Sequence, residues 1–444
     1  MITAPICEFV RRYRYSGALR MHMPGHKGTA LLGPEPLDLT EIEGADVLYH
    51  AEGIIRESEA NAAALFGTKK TVYSAEGSSL CIRAMLYLAL LHARANHKKT
   101  VIAAGRNAHK VFMTAAALLD LDIRWIYGTE SVISCAITPA QLEDVIVSEN
   151  PAAVYITSPD YLGNIADIKS LSTVCKKHGV LLLVDNAHGA YLHFLPEPMH
   201  PMQLGADICC DSAHKTLPVL TGGAYLHIAH GTPDMFAQRA ESAMALFAST
   251  SPSYLILQSL DAMNPLLATS FPAQLKACTE RLDTLKAKLR AHGYALCGEE
   301  STKLCLLPKS FGYTGTALAE ILTHNNIYCE FSDADHLVMM FTPETTPADF
   351  SRLERALLAV LPAPAILSKP PVPPHAERVL SPREALFSPS ETLPLSECEN
   401  RILADANVSC PPAVPLAVCG ERLTPEVISA MEYYGTEHCT VVIE

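Results

Sequence analysis

Asp185 and Lys215 are the two residues whose types and spacing point most directly to chemistry. The apolar run VLLLV leads into Asp185-Asn186-Ala187-His188-Gly189, and ADICC leads into Asp211-Ser212-Ala213-His214-Lys215. A lysine amine partly withdrawn from water is a nucleophile toward carbonyl carbon and forms an imine with it. A carboxylate at the end of a neighbouring buried strand, about thirty residues earlier, can pair with a protonated pyridine nitrogen and keep that ring an electron sink. The two together describe a site for pyridoxal 5'-phosphate (PLP), with Lys215 as its Schiff-base lysine. Taken singly, Asp185 also reads as a helix N-cap or strand-end turn and Lys215 as a surface lysine; it is their pairing that carries the reading.

Further polar clusters follow further apolar runs. TVIAAG ends in Arg106-Asn107-Ala108-His109, and AAVYIT ends in Ser158-Pro159-Asp160-Tyr161. In an open parallel sheet the carboxyl ends of the strands converge on one crevice, where ligands bind. Gly77-Ser78-Ser79 opens a helical stretch, and free amides with two hydroxyls at a helix N-terminus suit a cofactor phosphate. Plain N-capping would use the same residues. His109 is placed to lie flat on a pyridine ring, or else to serve as a partly buried structural histidine.

The elements that must position these residues are legible as alternating strands and helices. Runs at 100–105, 152–157, 180–184 and 206–210 are apolar throughout rather than alternating, so both faces of each strand are expected to be buried. Helical stretches at 110–119, 139–148 and 168–178 separate them, and another is expected over 78–95. This is the pattern of repeated βαβ units. After about residue 270 the character changes to helices at 273–292, 316–324 and 346–360 with short strands between them. A proline-rich stretch over 361–374 reads as a stiff linker, and a final unit follows it.

Composition narrows the class. Hydrophobic residues make up 49% and charged residues 18% of the 444, which marks a folded globular chain. A net charge of -13 argues against nucleic acid, whose phosphates select clustered Lys and Arg. The 14 cysteines show no metal-finger spacing and read as reduced thiols of a cytoplasmic protein. No signal-like apolar core opens the chain and no apolar stretch is long enough to span a bilayer, so no membrane partner is expected.

The residues resemble a known family. ADICCDSAHKTLPVLTGGAYLHI is similar to the lysine-bearing motif of the bacterial ornithine/lysine/arginine decarboxylases, which are fold-type-I PLP enzymes. MHMPGHKG resembles the N-terminal Pro-Gly-His motif of that family, RNAHK its ring-stacking histidine segment, ITSPDYLGNIADI its strand and loop before the aspartate, and VDNAHGAYL its aspartate motif. ASTSPSYLILQSLDAM is similar to a segment that reaches the cofactor phosphate across a dimer interface. SPREALF and PPAVPLAVCGERLTPEVI resemble the C-terminal domain. The likeness runs in order from about Arg20 onward and corresponds to the short form, without an N-terminal wing domain.

The resemblance implies an aspartate-aminotransferase-like α/β large domain with a mainly parallel sheet, plus smaller α+β C-terminal domains. The expected division is 1–60, an N-terminal segment; 61–270, the PLP-binding domain; 271–362, a small α+β domain; and 375–444, a decarboxylase-type C-terminal domain. It implies that Lys215 anchors the cofactor, Asp185 pairs with its ring nitrogen and His109 stacks on the ring. Gly77, Ser78, Ser79, Ser212 and His214 approach the phosphate, joined by Ser249 or Thr250 from a second subunit. His188 and His26 sit near the substrate. Some positions depart from the family pattern. Asn186 stands where a Glu is common, Gly222 where a Gln is usual, Asn264 where an Arg is common, and Cys419-Gly420-Glu421 where Pro-Gly-Glu is usual. The implied activity is PLP-dependent decarboxylation of lysine, arginine or ornithine by a homodimer or an assembly of dimers. The alternatives are transamination or a lyase step on the same scaffold, or a PLP-binding paralogue with little turnover.

Overall fold

A computed structural model describes residues 2–128, 134–372, 375–408 and 414–443. Pro373 and Pro374 of the linker, the Pro411 start of the C-terminal motif and Glu444 lie outside the described residues. Two units emerge. The first comprises 1–99, 152–156 and 168–273; the second comprises 100–151, 157–167 and 274–444.

Among the described residues the main sheet has seven strands. The first unit contributes β1 (Lys70–Ser74), β7 (Ala224–Ile228), β6 (Ile208–Asp211), β5 (Leu181–Asp185) and β4 (Ala153–Thr157), side by side in that order. The second contributes the parallel pair β2 (Val101–Gly105) and β3 (Asp122–Ile126). All four apolar runs anticipated as buried strands are strands, and β2, β5 and β6 are buried at every position. Strand β7 departs from the parallel pattern, running antiparallel to both β1 and β6. It follows β6 through only the short helix Ala213–Thr216, without the long crossover that a parallel neighbour needs.

The anticipated helices form with small shifts at their ends, as Gly77–Ala95, Lys110–Leu119, Pro139–Glu149, Ile168–His178, Phe271–His292, Gly315–His324 and Pro347–Leu358. Capping boxes start two of them, Thr138 with Gln141 and Thr346 with Asp349, each satisfying backbone donors that a helix start leaves open. In the second unit β8 (Ala295–Cys297), β9 (Lys303–Leu307), β10 (Phe331–Ser332) and β11 (Leu337–Met340) form an antiparallel sheet in the order β10-β11-β9-β8. Cys278, Leu282, Leu285 and Leu289, spaced for one face of helix Phe271–His292, share a core with Leu304, Leu306 and Leu337 of that sheet. Near the C-terminus Ser390–Pro394 pairs antiparallel with His438–Val442. Among the described residues no helix is long and apolar enough to cross a membrane.

One buried acid in the first unit makes stability depend on pH. Glu59 is 5% exposed, and its Oε1 accepts a hydrogen bond from the Tyr73 amide of β1 at 2.9 Å. Burial pushes its carboxyl up to about 8, against the opposing pull of that amide. The unfolded carboxyl ionises near about 4.3. Between there and about 8 the unfolded chain has released a proton that the folded chain still holds, so stability falls as pH rises through this window. Glu59→Gln keeps the acceptor for Tyr73 and removes the Glu59 contribution to the slope. Thermal denaturation should place the variant a few degrees above the parent at the alkaline end of the window, with the gap closing toward the acidic end. A gap constant across the window would contradict this.

Candidate active site

Parallel pairing sets Asp185 of β5 beside Cys210 of β6. The Asp185 side chain is 1% exposed, so its charge depends on local donors. The Tyr155 hydroxyl from β4 donates to Oδ2 at 2.9 Å, the Ala187 amide donates to Oδ1 at 3.2 Å, and the Cys210 thiol lies 3.6 Å from Oδ1. Three elements thus hold one carboxylate in a fixed orientation at the carboxyl end of the sheet.

The chain turns sharply after Asp185. The Gly189 amide closes the turn on the Asn186 carbonyl at 2.8 Å. A Cβ at Gly189 would come within 2.0 Å of Asn186 Oδ1, so a side chain at 189 would displace this turn. The turn delivers His188, which is buried, to Lys215: Nε2 and Nζ are 3.1 Å apart. That is one hydrogen bond, short enough for a proton to pass between imidazole and amine. Lys215 is half-buried on the short helix Ala213–Thr216 that follows β6.

The same short helix is tied to the start of helix Gly77–Ala95. The Ser212 hydroxyl donates to Ser78 Oγ at 2.8 Å, and both side chains are buried. Gly77 has φ +72°, a left-handed conformation that favours glycine, and its amide donates to the Gly222 carbonyl at 2.7 Å. Gly222 has φ +100°, and a Cβ there would meet the Ala75 carbonyl oxygen at 2.9 Å, so this turn excludes the larger residue of the family pattern. His214 directs both its backbone amide and Nδ1 at the Gly223 carbonyl, 3.1 and 3.0 Å away; burial pushes its imidazole pKa down. Ser79 is half-buried in the first helical turn, where amides have no partner within the helix.

Gly77, Ser78, Asp185, His188, Ser212, His214 and Lys215 therefore come together in the first unit. The donor set fits pyridoxal phosphate: an amine for its aldehyde, a rigidly held carboxylate for its ring nitrogen, and hydroxyls with a helix N-terminus for its phosphate. Ser249 and Thr250 are exposed, and the Ser249 amide donates to the Glu76 side chain at 2.7 Å, one residue before Gly77. His26 accepts from the Gly28 amide at 2.9 Å and lies 3.3 Å from Asp38. Asn264 is buried, its amide donating to Tyr73 Oη at 2.9 Å and to the Ser58 carbonyl at 3.0 Å.

His109 belongs to the second unit, where it is exposed and caps helix Lys110–Leu119 by accepting from the Val111 amide at 3.3 Å. Its turn begins at Arg106, whose guanidinium makes a two-pronged, buried ion pair with Glu421 at 2.8 Å on each side. The Trp125 ring lies 5.0 Å from that guanidinium. Asp160, which follows β4, accepts from the Leu162 and Asn164 amides and from Asn164 Nδ2, at 2.7 to 3.0 Å. Its carboxylate holds its own loop. Glu330 accepts from the Tyr161 hydroxyl at 2.8 Å.

Tyr155 escaped the sequence reading. Its only signal is a hydroxyl-bearing aromatic in the middle of an apolar strand, where such a hydroxyl requires a partner. Tyr155→Phe deletes a donor to Asp185 while keeping the ring. The expected result is roughly tenfold weaker cofactor binding, the worth of about one hydrogen bond to a charged group, read by titrating the apoprotein with PLP. Unchanged affinity would show that Tyr155 does not support the carboxylate.

Comparison with known proteins shows the family and the fold. The profile described as Orn/Lys/Arg decarboxylase, major domain, matches residues 4–297. The arginine decarboxylase of Bacillus subtilis is 31% identical over 96% of this chain and 92% of its own length. Among solved structures, the lysine decarboxylase of Francisella novicida superposes with a TM-score of 0.80 at 16% identity, covering 100% of this chain and 81% of its own. The constitutive lysine decarboxylase of E. coli gives 0.80 at 17%, covering 100% and 82%. The chain belongs to the Orn/Lys/Arg decarboxylase family of PLP-dependent carboxy-lyases.

Proposed function

We propose that this chain removes the α-carboxylate of a basic amino acid as CO2, with arginine as its first substrate and PLP as its cofactor. The observation that carries the reading is Lys215 Nζ set 3.1 Å from His188 Nε2 by the turn that also carries buried Asp185. Arginine is placed before lysine and ornithine because relatives that match nearly the whole chain are named arginine decarboxylase.

Lys215 is the covalent anchor, Asp185 the partner of the ring nitrogen, and Gly77, Ser78, Ser79, Ser212 and His214 hold the phosphate. Pyridoxal phosphate, when bound, supplies a sink for the electron pair left as CO2 departs. The remaining work falls to the protein. Asp185, fixed by Tyr155, Ala187 and Cys210, keeps a negative charge where the ring nitrogen must stay protonated. His188 Nε2 can exchange a proton with Lys215 Nζ 3.1 Å away, so the amine would hold the proton delivered to the substrate Cα and His188 would replace it. His109 would be a ring contact by the family resemblance alone. Which bond breaks is set by orientation of the substrate, the task of the groups around Lys215.

The functional form is proposed to be a C2 homodimer in which Ser249 or Thr250 completes the phosphate site of the neighbouring copy. Light scattering at assay concentration should give at least twice the chain mass; an active monomer would refute it.

The activity is tested by supplying carboxyl-labelled arginine, lysine and ornithine with PLP and no keto acid, and measuring gas and amine together. Release from arginine is expected, absent in Lys215→Ala and lowered about 10²-fold in kcat in His188→Ala. Amino transfer on adding a keto acid, without gas, would move the chain to transamination. Bound PLP with no turnover would make it a non-catalytic paralogue.

A further inference from the structure

A second carboxylate lies in the same sheet, one strand over, and the chemistry described above does not use it. Asp211 ends β6 and is 0% exposed. Its Oδ2 is met by His200 Nε2 at 3.0 Å and by His227 Nε2 at 3.2 Å. Its Oδ1 is met by Asn186 Nδ2 at 2.7 Å and by the Cys209 thiol at 3.5 Å. His200 Nδ1 accepts from the Met202 amide, so the ring proton sits on Nε2 and is directed at Asp211. His227 Nδ1 continues to the Thr71 hydroxyl at 2.9 Å, and that hydroxyl continues to Thr68 at 2.8 Å. Burial pushes the Asp211 carboxyl up, but His200 and His227 overcome it and hold it well below the usual range.

Asn186 is the member of this cluster that touches the Lys215 site. It lies between Asp185 and His188. Its backbone amide donates to the Cys210 carbonyl at 2.9 Å, and its carbonyl accepts from the Gly189 amide at 2.8 Å. With Nδ2 committed to Asp211, its Oδ1 is buried without a hydrogen-bond partner. Only an amide suits this position. A carboxylate at 186 would lie against Asp211 in a site closed to water, where two like charges cannot both ionise.

The geometry points to Asp211 as a positioning residue for the Lys215 site: with Asn186 it forms a matched carboxylate–amide pair that fixes the turn carrying Asp185 and His188. This rests on the cofactor reading of Lys215 and not on the identity of the substrate. It also accounts for the Asn at a position where the family pattern favours Glu. The residue there answers to Asp211 rather than to the substrate, so the change does not by itself alter the reaction.

The experiment compares Asn186→Asp, Asp211→Asn, their combination, and Asn186→Ala. The readouts are the dissociation constant of PLP from the apoprotein, the visible absorbance of the bound cofactor, and kcat separately from KM. Asn186→Asp is expected to weaken PLP binding, shift the absorbance and lower kcat by about 10²-fold with little change in KM, the scale of an ångström-sized misplacement. Asn186→Ala, which removes the amide without adding charge, should fall short of that loss. The combined variant restores one amide facing one carboxylate and should recover affinity and absorbance toward the parent, by more than the two single effects multiplied. If Asn186→Asp fails to fold, recovery of a folded, cofactor-binding protein in the combined variant supports the pair in the same way. Parental binding and spectrum in Asn186→Asp, or a combined variant that recovers neither folding nor binding, would overturn it. Binding and absorbance report on the pair even if no amino acid is decarboxylated.

Discussion

A buried carboxylate is costly unless its lone pairs are met, and the carboxyl end of the main sheet is organised around meeting two of them. Asp185 and Asp211 end adjacent strands, at 1% and 0% exposure. An ionised carboxyl so placed loses several kcal/mol of hydration, which only well-directed donors can offset. Tyr155, Ala187 and Cys210 answer Asp185; His200, His227, Cys209 and Asn186 answer Asp211. Because Asn186 follows Asp185 directly, the two sets of donors share a backbone. The His188–Lys215 contact hangs from that shared segment.

The same rule operates in the second unit. Arg106 and Glu421 are 4% and 1% exposed, and each satisfies the other through two parallel hydrogen bonds. A further donor, the Val418 amide, reaches Glu421 at 2.9 Å. Such a pair contributes little net stability relative to an apolar substitute, but breaking it strands a buried charge. Its structural effect is to hold the turn that leads to His109 against the C-terminal Cys419-Gly420-Glu421 turn. A C-terminal segment remote in sequence thereby bears on a residue proposed to contact the cofactor.

Much of this was legible in the residue order. Strands β2, β4, β5 and β6 were marked by unbroken apolar runs, and the polar residues just after them marked the site. The direction of β7 was not legible, since AYLHI reads like any other buried strand and pairing direction depends on the connection before it. Tyr155, His200 and His227 were invisible for a related reason. Each acts through a partner distant in sequence, and only the sheet register brings His227 opposite Cys209. Asp160 shows the converse, a carboxylate in one of the polar clusters that follow a strand, whose oxygens are occupied by its own loop.

Lys215, and no other lysine, is proposed to hold the cofactor beside His188 and Asp185. Borohydride reduction of the PLP-loaded protein followed by peptide mass mapping tests it most directly. The reduced pyridoxyl group is expected on Lys215, with loss of the adduct in Lys215→Ala. An adduct on any other lysine, or one that persists in Lys215→Ala, would contradict it.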